Sequence, residues 1–186
     1  MEISTLFPQV VFHEKMENFS SVKEDLIASI YKLKDKDFGR QASNNGGGWQ
    51  SNENPPEFRE FIQNLVDGMQ IFTTCELCNF WVNVNPPGGY NKQHVHPEAH
   101  MSGVFWVKTP PNSGVLTFPN PFAYTQSNFI LKFPKEFRDK HKIYTTVDYS
   151  PQPGEIIVFP SDLYHGVDPN MSMEDRISIA FNLRTI

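Results

Sequence analysis

Three of the chain's six histidines fall within seven residues, at His94, His96 and His100. Successive side chains of a β-strand point to opposite faces, so a strand through this stretch would place His94 and His96 on the same side. Two imidazoles at that separation can share one metal ion. His-x-His also occurs on exposed strands that bind nothing, so the pair predicts a metal site only if further ligands converge on it.

A second stretch, about seventy residues later, supplies a candidate third ligand. A Pro-Gly turn signal at 153–154 precedes a segment at 155–159 that is apolar from Ile156 onward. This segment predicts a buried strand, and Pro160 ends it. His165 follows shortly afterwards. We therefore predict a metal site that combines this histidine with the His-x-His pair.

The two stretches resemble the opposed motifs of the double-stranded β-helix, the jelly-roll barrel of cupins and of iron and 2-oxoglutarate dependent oxygenases. The spacing from Gly88 to residues 94–96 is similar to the first cupin motif. The spacing from Gly154 through Pro160 to His165 is similar to the second. The resemblance implies a jelly-roll core.

A basic residue follows eleven positions after the distal histidine. Arg176 stands in an Arg-Ile-Ser segment that is similar to the 2-oxoglutarate clamp of the oxygenases, which cupins do not require. A planar guanidinium can bind a carboxylate through two parallel hydrogen bonds, which suits that role. An ion pair with Glu174 or Asp175 is the alternative. Ser178 lies on the same strand face, and we expect it and Trp106 to line the same pocket.

Five segments together indicate a more specific family. They are residues 47–51, 94–97, 102–104, 159–165 and 176–178. Together they are similar to a family of prolyl-hydroxylase-like oxygenases from marine bacteria and their phages. The resemblance implies Fe(II) as the metal and 2-oxoglutarate as the cosubstrate. It also implies decarboxylation to succinate and CO2, coupled to hydroxylation of a second substrate that the sequence does not identify.

The usual oxygenase pattern is His-x-Asp or His-x-Glu with a distal histidine, and this chain departs from it. If His94 is the first ligand, His96 takes the carboxylate position and the site holds three imidazoles. If His96 is the first ligand, Glu98 supplies a carboxylate that offsets part of the metal's charge. We predict the first register because its distances to the neighbouring turn and strand fit the family better. Glu98 stays as the alternative ligand, and His100 is expected at the barrel mouth.

At 186 residues, the chain is expected to form one domain. Its sixteen Phe, three Trp, fifteen Pro and eleven Gly suit short strands joined by many turns. We expect a mainly β fold with flanking helices. An N-terminal strand and helices would occupy about residues 1–70, and the barrel about residues 71–186.

Charge and apolar content exclude some partners. The net charge of −5 argues against nucleic acid, which needs a basic face. The basic cluster at 132–142 contains two acidic residues and is interpreted as a solvated loop or short helix. No run approaches the length of a membrane span. Cys75 and Cys78 have strand-like flanks, which indicates reduced structural thiols in the cytoplasm, or in the host cytoplasm for a phage protein.

The expected partners are O2 and a small-molecule or peptidyl substrate, and a homodimer is left open. Three functions are compatible with the motifs. The first is the oxygenase, the second is a cupin-type metal-dependent enzyme or binder that ignores 2-oxoglutarate, and the third is a metal-free structural β-sandwich. Dependence on Arg176 distinguishes the first from the second.

Elements before the barrel follow from local patterns. Residues 1–12 predict a strand, placed at a sheet edge by Pro8. A capping box at 21–24 predicts a helix that ends near Lys34 and packs on the outer face of the larger sheet. A second amphipathic helix is predicted over about 54–69.

The remaining segments are strands and two longer connections. Residues 38–54 are polar and form either a loop anchored by Trp49 or a flap that faces the substrate. Residues 119–142 are predicted to be an insertion that forms a lid or an edge element. Strands are predicted at residues 71–85, 104–107, 114–118, 143–147, 155–159 and 177–183.

Overall fold

The computed structural model describes residues 9–71, 75–122 and 128–186. Within them, the strands form two antiparallel sheets that pack against each other, as expected for the double-stranded β-helix. The strands are β1 (Phe12–Lys15), β2 (Asn44–Asn45), β3 (Trp49–Gln50), β4 (Cys75–Asn85), β5 (Tyr90–His94), β6 (Met101–Lys108), β7 (Leu116–Pro119), β8 (Thr146–Tyr149), β9 (Glu155–Pro160), β10 (His165–Val167) and β11 (Arg176–Thr185). The larger sheet has the order β1-β9-β6-β11-β4-β3, and the smaller sheet has the order β2-β5-β10-β7-β8.

Two helices cover the outer face of the larger sheet, α1 (Phe19–Lys34) and α2 (Arg59–Met69), the latter preceded by a 3-10 turn at Pro56–Phe58. Their apolar side chains share one buried cluster with strands β4, β6, β9 and β11. The predicted packing of the first helix is therefore confirmed. No helix in the described ranges is long and apolar enough to cross a membrane.

The predicted start of α1 is wrong by two residues. The helix begins at Phe19, and the Ser21 hydroxyl donates to the carbonyl of Asn18 at 2.7 Å instead of capping a later turn. The Phe19 ring packs edge-on against Phe105 of β6, with centroids 5.5 Å apart. Because this ring is buried in the core, the helix begins before the residue that the local capping signal marks.

The first strand also differs from its prediction. Of the predicted range 1–12, residues 1–8 lie outside the described residues, and strand geometry begins only at Phe12. β1 pairs with β9, with Phe12 opposite Val158, and forms the edge of the larger sheet. The predicted edge position is confirmed, although the strand lies further along the chain. Likewise, β4 begins at Cys75, and residues 72–74 are outside the description.

The polar segment 38–54 is ordered by two short strands, with β2 on the smaller sheet and β3 on the larger. The Trp49 indole N–H donates to the carbonyl of Asp37 at 3.0 Å, and its ring packs on the outer apolar cluster. The tryptophan is therefore an anchor. Other side chains of the same segment, Arg40, Ser43 and Gln50, face the candidate site described below.

The predicted insertion leaves the smaller sheet after β7 and returns to it at β8, the sheet edge. The Asn120 backbone N–H donates to the carbonyl of Thr145 at 2.9 Å, and its side chain donates to that of Tyr144 at 2.8 Å, so the two ends are tied together. The insertion contains the helix α3 (Lys135–His141), which has no buried residue. Residues 123–127 lie outside the description.

Candidate metal centre

Strand alternation separates two environments across the larger sheet. In β4, Phe80, Val82 and Val84 belong to the apolar cluster beneath the helices. Trp81 and Asn83 point to the other side, into the space between the sheets. The site is built on this inner face, opposite the helices.

The smaller sheet contributes the metal-binding candidates. His94 is the last residue of β5, and His165, the first of β10, lies directly opposite it in the register. The ring centroid of His94 lies 4.5 Å from that of His165 and 4.7 Å from that of His96. The centroids of His96 and His165 are 5.2 Å apart. One ring nitrogen from each histidine lies within 4.8 Å of the other two. Three imidazoles at these distances can ligate one ion after small movements.

His96 reaches this cluster by a different route from the predicted one. β5 ends at His94, so the two histidines are not on one continuous strand face. Instead, the His96 backbone N–H donates to the carbonyl of Ser161 at 2.8 Å, which fixes the turn beyond β5 against the end of β9. Pro97 follows directly and has no N–H to continue a strand ladder.

Backbone carbonyls orient two of the rings. His94 Nδ1 lies 2.6 Å from the carbonyl of Lys92, and His165 Nδ1 lies 2.8 Å from that of Leu163. In each case Nδ1–H donates to the carbonyl, so the Nε2 atom keeps its lone pair for a metal. This arrangement is typical of ligating histidines in proteins.

Burial keeps the imidazoles neutral. It lowers the pKa of His165 to about 3, with His94 and His96 nearby adding to the effect. It lowers the pKa of His96 to about 4, helped by His94 and Arg40. The pKa of His94 is lowered for the same reason. At neutral pH all three rings therefore present lone pairs without a competing proton.

Glu98, the alternative ligand, lies outside the cluster. Its side chain is exposed, and among the described residues the group that could hold a metal contains the three histidines alone. His100 is also outside the cluster, where its Nδ1 lies 2.8 Å from the Thr185 hydroxyl. The structure therefore brings together the all-imidazole set of the first register.

A small inner cavity of about 50 Å³ runs from the three histidines between the sheets. This is room for one or two water molecules. Ser178 of β11, one of the predicted cosubstrate residues, lines it, as do Trp81 and Asn83 of β4. The Asn83 Oδ1 atom is buried, and no residue in the described ranges hydrogen-bonds to it.

Arg176 lies two residues before Ser178 on the same inner face and is 1% exposed. Its Nη1 donates to the carbonyls of Ser113 and Asp168, the latter at 2.8 Å. Its Nη2 is buried and has no hydrogen-bond partner among the described residues. Burial lowers the pKa of Arg176 to about 10, so the guanidinium is still charged at neutral pH.

The predicted alternative for Arg176, an ion pair with a neighbouring acid, is wrong. Glu174 forms its ion pair with Lys108 at 2.9 Å. Asp175 accepts a hydrogen bond from the Tyr31 hydroxyl at 2.8 Å. Both carboxylates therefore have other partners. Within the described ranges, the hydrogen bonds of the Arg176 guanidinium go to carbonyls.

Trp106 of β6 is fully buried on the inner face and lies opposite Ser178 in the register. Its indole Nε1 is a second buried donor for which the described part of the chain offers no partner. Buried donors in proteins are nearly always satisfied, so two orphans on one face indicate a ligand with acceptor atoms. A dicarboxylate provides such acceptors, and the residues present therefore fit 2-oxoglutarate.

Sequence reasoning missed an outer cavity of about 250 Å³ that opens to the surface beside His94 and His96. Arg40 forms an ion pair with Glu53, and its guanidinium carbon lies 5.2 Å from the Trp81 ring centroid. The Trp81 ring is in turn 5.5 Å from that of His96. No motif marks Arg40, because it stands in a polar segment whose role depends on tertiary placement.

Comparison with known proteins agrees with this geometry. A family model described as "Putative 2OG-Fe(II) oxygenase" matches residues 79–182, which is more than half of the chain and contains every predicted site residue. The chain therefore belongs to the 2OG-Fe(II) oxygenase family. Membership favours the oxygenase over the cupin and metal-free alternatives, and it gives Fe(II) and 2-oxoglutarate as metal and cosubstrate. No curated protein sequence matches the chain.

Solved structures with the same fold include distant oxygenases. A Pseudomonas putida prolyl-4-hydroxylase is 14% identical, with a TM-score of 0.63 over 95% of this chain and 92% of that one. A viral collagen prolyl hydroxylase from Paramecium bursaria Chlorella virus-1 is 16% identical, with a TM-score of 0.58 over 94% and 96%. HygX from Streptomyces hygroscopicus, with nickel and 2-oxoglutarate bound, is 10% identical, with a TM-score of 0.65 over 94% and 82%. These similarities show the double-stranded β-helix fold.

Proposed function

We propose that this chain hydroxylates a polar substrate, using Fe(II) held by His94, His96 and His165 and 2-oxoglutarate held by Arg176. The products from the cosubstrate are succinate and CO2. The observation that carries the proposal is the convergence of three neutral imidazoles, two of them oriented by backbone carbonyls, on an inner face that also holds a buried guanidinium whose Nη2 has no partner among the described residues.

The three imidazoles would hold the metal without contributing charge, because all three rings are neutral. The metal's double positive charge is then offset by the dianionic cosubstrate instead of by a protein carboxylate. The iron and 2-oxoglutarate, once bound, supply the oxidising chemistry. The chain's own part is to orient the ligands and to exclude water from the inner face.

Arg176 would bind the distal carboxylate of 2-oxoglutarate through Nη2, the atom left free by its two carbonyl partners. The Trp106 indole N–H and the Ser178 hydroxyl are further donors on the same face. The inner cavity of about 50 Å³ is smaller than a dicarboxylate, so binding requires the lining side chains to move apart.

The outer cavity would receive the second substrate, since it reaches His94 and His96 and opens to solvent. Its lining is polar and includes Arg40, Glu53 and Asn79. The Asn79 amide and the Arg40 guanidinium both hydrogen-bond Glu53, so the wall offers donors and an acceptor in fixed positions. A substrate with polar groups near the reacting C–H bond fits this wall.

An anaerobic titration tests the assignment of Arg176. Addition of 2-oxoglutarate to the Fe(II)-loaded protein should produce the visible charge-transfer band of the chelate. Arg176→Ala should weaken 2-oxoglutarate binding by about 10-fold to 100-fold, because a charged hydrogen-bond partner contributes roughly 1.5–3 kcal/mol. Arg184→Ala, which removes an exposed arginine of the same strand, is the matched control and should leave the affinity unchanged.

Iron binding without the band would refute the cosubstrate assignment, and equal affinity in the Arg176→Ala and Arg184→Ala proteins would refute the role of Arg176. Loss of iron binding in the Arg176→Ala protein would show a structural effect instead. Thermal unfolding of the metal-free variants would detect such an effect as a lower unfolding temperature of the Arg176→Ala protein than of the Arg184→Ala protein.

The chain is proposed to act as one domain, since its N-terminal helices and the barrel strands share a single apolar cluster. Its place of action is the cytoplasm, or the host cytoplasm for a phage-encoded protein. The unpaired thiols of Cys75 and Cys78 support a reducing compartment. The acidic net charge of −5 supports partners other than nucleic acid, and a homodimer is compatible with the exposed β-edges.

A further inference from the structure

The insertion between β7 and β8 carries an exposed surface that the proposed chemistry does not use. We name it the insertion patch, and it consists of the apolar residues Phe129, Leu131, Phe133 and Phe137 with the basic residues Lys132, Lys135, Arg138, Lys140 and Lys142. Phe129 is 65% exposed and Leu131 is 59% exposed. Large apolar side chains clustered at this exposure mark a surface for a partner.

The rings of the insertion patch form a continuous ladder. Centroids of Phe129 and Phe133 are 4.9 Å apart, those of Phe133 and Phe137 are 4.8 Å apart and stacked, and His141 follows at 4.5 Å. Contact between successive rings restricts their motion. A row of ordered aromatic rings gives a binding surface that loses little side-chain entropy when a partner docks.

The patch also concentrates positive charge. Residues 132–142 hold five of the chain's sixteen Lys and Arg residues and two of its twenty-one Asp and Glu residues. The segment therefore carries a net charge of +3, and the rest of the chain carries −8. Lys135 pairs with Asp139, while Lys132 and Lys140 form no ion pair within the described part of the chain. The uncompensated charge favours an acidic partner.

Strand register places the insertion at the metal end of the barrel. Gly166 of β10 lies opposite Thr117 of β7, and His165 therefore lies level with Phe118. The ring centroids of Phe118 and His165 are 6.2 Å apart. The insertion starts two residues later, at Asn120, so its base stands near His165 of the metal cluster.

From this placement we propose that the insertion patch docks an acidic polypeptide that also carries apolar side chains, and that this polypeptide is the substrate. The proposal rests on the oxygenase function above and selects a peptidyl substrate over a small molecule. The patch would bind a segment flanking the residue that is hydroxylated. The outer cavity, with Arg40 beside His96, would receive the target side chain.

Other occupants fit the surface less well. A phosphate backbone or an anionic membrane would face the −8 charge of the remaining chain as well as the patch. Symmetric pairing of two patches would oppose like charges, and pairing of the patch with an acidic surface of a second copy would give an open chain of copies. A peptide is narrow enough to contact the patch alone.

The test uses the full chain loaded with Fe(II) and 2-oxoglutarate under anaerobic conditions. Fluorescence anisotropy would measure binding of a short peptide that alternates Glu or Asp with Leu or Phe, and of a matched peptide with Gln or Asn in place of the acids. We expect at least about tenfold tighter binding of the acidic peptide, weakening with added salt. Lys132→Glu with Lys140→Glu should reduce the affinity about tenfold, and so should Phe129→Ala with Leu131→Ala.

Lys32→Glu with Lys36→Glu is the matched control, because these exposed lysines lie on or just after α1, on the opposite side of the larger sheet. It should bind the acidic peptide as the unmodified chain does. Equal affinity for both peptides, or an equal loss in the control, would overturn the proposal. So would tighter binding of phosphatidylserine vesicles or of an oligothymidine, or self-association in sedimentation experiments that Phe129→Ala with Leu131→Ala abolishes.

The charge-transfer band keeps the two proposals separate. A normal band with no preference for the acidic peptide would overturn the docking surface and leave the oxygenase function intact. A missing band with specific peptide binding would overturn the oxygenase proposal and leave a peptide-binding surface. Circular dichroism spectra of the patch variants check that exposed substitutions leave the fold unchanged.

Discussion

The two faces of strands β4 and β11 bury different kinds of side chain. On the outer face, Phe80, Val82 and Ile179 are completely buried beneath helices α1 and α2. On the inner face, Asn83 and Ser178 are buried as well, although they are polar. Burial of polar groups costs free energy unless partners satisfy them. The outer face therefore stabilises the fold, while the inner face holds chemistry at a cost in stability.

The face on which a residue lies should therefore decide whether its substitution changes stability or ligand binding. A change on the outer face should alter the free energy of unfolding and leave ligand affinity unchanged in the folded protein. A change to a polar residue on the inner face should alter ligand affinity and leave the free energy of unfolding nearly unchanged, because the polar atoms of this face contribute little to packing.

Phe80→Ala should have the largest effect on stability. The ring is fully buried in the outer cluster, and removal of a buried phenylalanine costs about 3–5 kcal/mol. Urea unfolding of the metal-free protein would measure the loss. Asn83→Ala, three residues along the same strand and on the other face, should cost about 1 kcal/mol or less, because its Oδ1 has no partner to lose. Similar losses in both variants would contradict the division of the faces.

His165→Ala should have the largest effect on metal binding. Its ring is buried and oriented by the Leu163 carbonyl, so its removal should weaken Fe(II) or Co(II) binding by more than about 100-fold. Isothermal titration under anaerobic conditions would measure the affinity. Glu98→Ala should bind metal normally. A strong loss in Glu98→Ala would restore the register that uses the carboxylate.

A feature can be predicted from the sequence when neighbours in the chain determine it, and it is missed when residues distant in sequence determine it. Spacing and alternation predicted His94, His165, Arg176 and the helices of the outer face, because these follow from local periodicity and short motifs. The route of His96 was predicted wrongly as a strand continuation, since the bond from its N–H to Ser161 joins segments distant in sequence. Arg40 was missed for the same reason.

Local signals also failed where burial overrides them. The capping box at Ser21 marks a helix start that the packing of Phe19 moves upstream. β10 consists of three residues, too few for any periodic pattern, and its existence depends on pairing with β5 and β7. Short strands in a barrel are therefore defined by their partners more than by their own residues.

Acidification should destabilise the metal-free protein through its inner face. The pKa of His165 is about 3 in the folded chain, against about 6.5 for an unfolded histidine. Between these values the unfolded chain binds a proton that the folded chain does not, so stability falls as the pH drops from 6.5 toward 3. The slope from this one residue is about 1.4 kcal/mol per pH unit. Urea unfolding at two pH values would measure it.

The variant His165→Leu has no titrating group at this position and should show a pH slope smaller by that amount. An unchanged slope would contradict the attribution to His165. In the unmodified chain, bound metal should preserve the slope from His165 and extend it to lower pH, because ligation keeps the ring of the folded chain unprotonated while the unfolded chain still takes up the proton. The effect of metal on the pH dependence of the free energy of unfolding thus tests whether His165 is a metal ligand.

Ser178→Ala should have the smallest effect and refines the boundary of the cosubstrate pocket. Its hydroxyl lines the inner cavity two residues from Arg176 and opposite Trp106. A neutral hydrogen bond contributes about 0.5–1.5 kcal/mol, so 2-oxoglutarate binding should weaken by roughly 2-fold to 10-fold. The charge-transfer titration would measure this change, and urea unfolding should detect almost none. If the affinity is unchanged while stability falls, Ser178 belongs with the structural residues, and the pocket is formed by Arg176 and Trp106 without it.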